Sequence, residues 1–128
     1  MKTAAIPQGP WYNAMISEGI YDAKIIDLIR GQYGQNKDMY LQIVLWLAQP
    51  ECYLVTNLYF PRGKPDSKTV QRLSRLSQIC GLLPQDAIDM PQSFHGAELK
   101  IQIKKFMNND REYTDVDKFL HSDVIATT

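Results

Sequence analysis

The chain has no stretch near the roughly 20 consecutive apolar residues that a membrane-spanning helix requires. Its longest apolar run, Ile43-Val44-Leu45-Trp46-Leu47-Ala48, has the length of a strand. The opening residues hold one base, Lys2, and no apolar core long enough for a secretory signal. Cysteine is scarce: Cys52 and Cys80 form no C-x-x-C pair, and we expect two reduced, buried thiols in a cytoplasmic protein. His95 and His121 are not spaced as a helical metal pair, and no H-E-x-x-H motif is present. Gly31-Gln32-Tyr33-Gly34 is too short for a phosphate loop. Asp110, Asp115, Asp117 and Asp123 are spaced as a solvent-facing strand and tail rather than a metal site. The expectation is no catalysis, no cofactor and no metal. An excess of one charge is also missing: 14 basic and 14 acidic residues give a formal net charge of zero. That argues against strong, non-specific, charge-driven binding to nucleic acid and makes the distribution of charge the deciding quantity.

What is present suits one folded domain. The chain has 128 residues, 45% hydrophobic and 22% charged, enough to bury one core without staples. Residues 1–18 read as an N-terminal arm, broken by Pro7, Gly9 and Pro10 and pinned by Trp11 and Tyr12. Residues 19–120 form the domain, and 121–128 a short tail. Gly19 opens a strand over 20–30 with apolar residues on both parities, as in a barrel strand that changes its buried face. Residues 31–37 read as a glycine-containing loop. Residues 39–48 alternate, with Leu41, Ile43 and Leu45 on one face and Tyr40, Gln42, Val44 and Trp46 on the other. A turn at Gln49-Pro50 leads to a return strand over 51–60, with Tyr53, Val55, Asn57 and Tyr59 sharing the outer face.

Pro61 and Pro65 stop that strand, and Asp66 or Ser67 can cap a helix over 67–80. Val70, Leu73, Leu76 and Cys80 recur at helical spacing and are expected to face the core, with Gly81 just past the end. Residues 84–90 suit one further short helical turn. Leu99, Ile101 and Ile103 alternate in a fourth strand. Asn108-Asn109-Asp110 is a turn, and residues 111–118 form a fifth strand with Thr114 and Val116 inward. Five strands with the helix between the third and fourth predict an all-β fold with one helix, a five-stranded OB-fold barrel. A sandwich needs about seven strands. A ferredoxin-like domain needs a helix after its first strand.

Three segments carry a more specific likeness: Gly19-Ile20-Tyr21-Asp22-Ala23-Lys24-Ile25, Gly81-Leu82 closing the helix, and Phe94-His95-Gly96-Ala97-Glu98-Leu99-Lys100-Ile101 leading into Arg111-Glu112-Tyr113-Thr114-Asp115-Val116. Over residues 19–120 the chain resembles phage and prophage single-stranded DNA-binding proteins of the OB-fold class. The resemblance implies non-catalytic binding of single-stranded DNA, with RNA also open. It implies possible self-association and replication or recombination proteins as partners, and no membrane. Many members end in an acidic tail that recruits such partners, and residues 121–128 are not acidic.

The candidate interface follows from the outer face. Tyr40, Trp46, Tyr53 and Tyr59 offer flat rings for base stacking, and Gln42 and Asn57 lie among them to bond base edges or sugars. Arg30, Tyr33 and Lys37 flank the first loop; Lys104, Lys105, Phe106 and Arg111 flank the last hairpin; Arg62 ends the third strand. These cations are placed to meet phosphates. Lys68, Arg72 and Arg75 form a stripe on the helix that reads as its solvated side. The rival expectation is an OB domain whose aromatic face docks another protein. Cations ringing that face favour nucleic acid, and interleaved acids favour protein.

Overall fold

A computed structural model describes residues 16–49, 51–61, 64 and 66–123. Most of the expected arm (residues 1–15, with Trp11 and Tyr12), Arg62 and residues 124–128 lie outside the described residues.

The long first strand organises the rest. β1 (Gly19–Tyr33) pairs with β2 (Asp38–Leu47) through residues 23–33 and with β4 (Glu98–Asn108) through residues 19–24. It serves both neighbours because the register shifts between Ile25 and Asp27. One extra residue there bends the strand and swaps its parity. Ala23 and Ile25 are buried before the bulge and Leu28 after it, which accounts for the apolar residues on both parities. β3 (Cys52–Phe60) pairs with β2, and β5 (Arg111–Leu120) pairs with β4. Every pairing is antiparallel, and the sheet order is β3-β2-β1-β4-β5. The fold is therefore all-β with one principal helix. Among the described residues no backbone ladder joins the edge strands β3 and β5.

Those edges are nevertheless close. The buried Thr56 hydroxyl on β3 donates to Asp115 Oδ1 on β5 at 2.8 Å. The helix α1 (Ser67–Ile79) packs against both β5 and β3. Its Arg72 Nη2 donates to the same Thr56 oxygen at 3.0 Å. Of the two candidate caps, Asp66 does the work, its carboxylate accepting the Thr69 N–H at 2.7 Å. Leu73 and Leu76 are buried beneath the helix, each contributing roughly 1.5–3 kcal/mol. Buried Ser77 satisfies its hydroxyl on the Leu73 carbonyl at 2.8 Å.

Several expectations are corrected. Val70 does not face the core; it is 46% exposed. At about 100° per residue it lies roughly 70° from the centre of the face shared by Leu73, Leu76, Ser77 and Cys80. Residues 31–37 are not all loop. Gly31, Gln32 and Tyr33 remain paired with Tyr40, Met39 and Asp38, leaving only 34–37 as the turn. β5 continues to Leu120 and buries Phe119, and a short 3-10 helix (Pro91–Phe94) buries Phe94. Cys52 is buried and Cys80 half-buried, both unpaired, and burial pushes both thiols' pKa up. No described helix is long and apolar enough to cross a membrane.

Candidate nucleic-acid interface

Strict alternation in the β2–β3 hairpin dictates the outer face. Its cross-strand rows are Tyr40–Tyr59, Gln42–Asn57, Val44–Val55 and Trp46–Tyr53, while Leu41, Ile43 and Leu45 are fully buried on the opposite side. Register here is forced, since a one-residue slip would expose the whole apolar set. The face is not one uniform platform. Trp46 and Tyr53 meet edge to face with centroids 4.8 Å apart. They lie six residues along β2 from Tyr40, roughly 20 Å away. Between the two groups Val44 is fully buried, so the row there offers no ring. Trp46 instead lines a hollow of about 280 Å³ with Lys24, Glu98 and Ser122.

The richer end is the other one. Tyr33, Tyr40 and Tyr59 form a cluster, with centroids 6.2 Å apart for Tyr33–Tyr40, 5.1 Å for Tyr33–Tyr59 and 6.2 Å for Tyr40–Tyr59. Gly31 makes it possible. A Cβ at that position would stand 2.6 Å from the Tyr40 ring, so only glycine lets the ring lie over β1. Burial, with Asp38 and Tyr59 nearby, raises the Tyr33 pKa. Across from this cluster, Phe106 and Tyr113 stack at 5.6 Å. They are cross-strand partners in the β4–β5 hairpin, whose two-residue turn, Asn109-Asp110, has both φ values positive. That is the turn type matched to the twist of flanking strands.

Tyr59, Asn57, Phe106 and Tyr113 line one cleft of about 220 Å³ between the β3 and β5 edges. Lys68, Arg72, Asp66 and Asp115 complete its walls. Asn57 Nδ2 donates to the Tyr59 hydroxyl at 3.4 Å, and the buried Asn57 Oδ1 has no partner among the described residues. The cleft therefore sets rings, an amide and mixed charges side by side, a combination suited to stacking and edge recognition.

No protein-family model matches the chain, and no curated protein matches it.

The cations divide into two sets. Lys68 Nζ lies 4.5 Å above the Phe106 ring and 3.4 Å from Asp117. Lys104 approaches the same Asp117 at 3.7 Å, and Lys105 approaches Glu112 at 3.6 Å. Lys37 and Arg111, at the tips of the ring-bearing hairpins, have no ion pair among the described residues. Desolvation lowers the Arg72 pKa, partly opposed by Asp115, Asp117 and Asp66. Arg30 does not join the rings: it pairs in register with inward-facing Leu41, and its Nη1 donates to the Ile88 carbonyl of α2 (Asp86–Asp89) at 3.4 Å. Sequence reasoning missed Tyr113, Lys68 and Gly31. Tyr113 was recoverable, because it and Phe106 flank Asn109-Asp110 symmetrically and so pair across that turn.

Proposed function

We propose that the chain is an OB-type barrel that binds single-stranded nucleic acid, DNA by its resemblance, without catalysis. The strand and helix order supports the barrel, as do the β3 and β5 edges bridged by Thr56, Asp115 and Arg72. The observation that carries the binding reading is the set of three rings, Tyr59, Phe106 and Tyr113, that line one cleft between the β3 and β5 edges, with Tyr33 and Tyr40 packed beside Tyr59. Bases stack on Tyr59 and the Phe106–Tyr113 pair, Asn57 reaches a base edge, and Lys37 and Arg111 meet phosphates. A protein of this kind works in the cytoplasm of a bacterial host, beside replication or recombination proteins.

Titration of labelled oligo-dT at two salt concentrations tests the reading. Tyr59 is 47% exposed, so Tyr59→Ala leaves the core intact. It should weaken binding by about 1–3 kcal/mol, the worth of one stacked base. Replacing Lys37 and Arg111 together should flatten the log–log salt dependence by about 0.7 for each phosphate left without its cation. Replacing Lys104 and Lys105 should flatten it less, because each already faces an acid. Absence of measurable oligo-dT binding at low salt overturns the proposal. One observation favours a second reading: Asp66, Asp115, Asp117 and Glu112 interleave with the cations, as on a protein-docking face. That reading predicts no oligo-dT binding and loss of a protein partner in Tyr59→Ala.

A further inference from the structure

The stripe Lys68, Arg72 and Arg75 does more than solvate the helix. It forms one wall of a groove of about 540 Å³ whose other wall is the end of β5, with Lys118, Phe119 and Leu120. Four cations meet a single acid there, Asp117, in a chain of zero net charge. Asp117 is engaged by Lys68, and Arg72 points to Thr56 at the β3 seam. Arg75 and Lys118 remain exposed, with no ion pair among the described residues; Arg75 only donates to the Gln78 amide oxygen at 3.2 Å. The groove thus has an apolar floor and an uncompensated basic rim, and its volume is that of a ligand cleft.

We propose that this groove between α1 and β5 docks an acidic segment of a partner protein that carries an apolar side chain. Charge complementarity selects the acid, and half-buried Leu120 receives the apolar group. Nucleic acid fits less well. Phe119 is 1% exposed with the Arg72 guanidinium 5.7 Å from its ring centroid, so no base can stack there. The groove adjoins the ring-lined cleft and shares Lys68 and Arg72 with it, whereas Arg75, Lys118 and Leu120 line the groove and not the cleft.

The probe is a short fluorescein-labelled peptide of Asp and Glu around one central Leu, followed by anisotropy with the full chain. Binding should saturate at low salt and weaken as salt rises. It should fall by about tenfold or more when Asn and Gln replace the acids or Ser replaces the Leu. Arg75→Glu with Lys118→Glu should cost a similar factor while leaving oligo-dT affinity and the unfolding midpoint unchanged. Absence of saturation overturns the proposal, as does equal binding of the Asn/Gln peptide or unaltered binding by the double variant. If oligo-dT displaces the peptide and the double variant loses both ligands, the groove belongs to a nucleic-acid path and the proposal is again overturned.

Discussion

The seam between the edge strands hangs on one buried hydroxyl, and Thr56→Val removes it with almost no change in shape. Thr56 Oγ1 accepts from Arg72 Nη2 at 3.0 Å and donates to Asp115 Oδ1 at 2.8 Å, at a site only 1% exposed. Each bond has a charged partner, and such bonds contribute about 1.5–3 kcal/mol apiece. The two losses do not simply add. Arg72 and Asp115 still attract each other across the gap, and water reaches both of these partly buried groups. The variant should therefore lose about one bond's worth, 1.5–3 kcal/mol. At roughly 4 °C per kcal/mol for a domain of this size, the midpoint falls by about 6–12 °C. Urea unfolding at neutral pH gives the free energy directly. Hydrogen exchange should quicken along β3 and β5 before it does along β1. Adding Arg72→Met and Asp115→Leu to the same variant should recover most of the loss, since the penalty comes from charges left without partners. A Thr56→Val protein within about 0.5 kcal/mol of the parent would show that the seam is held by packing alone.

Gly31→Ala should separate folding from binding: the gain of about 0.5–1 kcal/mol from removing a strand glycine is offset by displacement of the Tyr40 ring, so the unfolding midpoint changes little, while oligo-dT affinity falls because that ring has moved. Denaturation and titration of the same sample check both halves, and unaltered affinity would remove Tyr40 from the interface. Phe94→Ala should cost about 3–5 kcal/mol in urea unfolding, because the ring is fully buried in the main core. The Asp66 carboxylate has its pKa lowered, first by the Thr69 N–H bond. A lowered folded pKa means that the cap's contribution is complete at neutral pH and is lost as pH falls from about 4 through the folded value. Asp66→Asn keeps the cap without the charge, so its melting temperature should fall less steeply over that acid range.

Local pattern carried the strands of the β2–β3 hairpin, because strict alternation leaves only one register that buries Leu41, Ile43 and Leu45. It also carried the face change in β1, visible as apolar residues on both parities. It could not show where one face is divided. Tyr40 and Trp46 share a parity, yet the fully buried Val44 lies between them and the rings separate into two groups. The convergence of Tyr59 with Phe106 and Tyr113 is a long-range event, set by the curl that brings β3 to β5. Thr56 gave no signal for the same reason: a threonine on an inward parity is ordinary until Arg72 and Asp115 are seen to meet on it. Arg30 stands apart from the rings because the strand runs past it to Tyr33, and its guanidinium donates to the Ile88 carbonyl of α2.

The charge distribution bears most directly on mechanism. Counting 14 bases against 14 acids leaves open whether a binding face is basic. In the folded chain Lys104, Lys105 and Lys68 each approach an acid, so a phosphate must compete with Asp117 or Glu112 for them. Among the described residues, Lys37 and Arg111 face no such competition. Under the proposed function, counterion release then comes from a few positions at the hairpin tips, and the rings carry the larger share of affinity. Such a binder should show a shallow salt dependence, near the slope of two phosphate contacts, about −1.4 on the log–log scale. A slope several times steeper would mean that the paired lysines abandon their acids on binding, and the interface would then be electrostatic rather than aromatic.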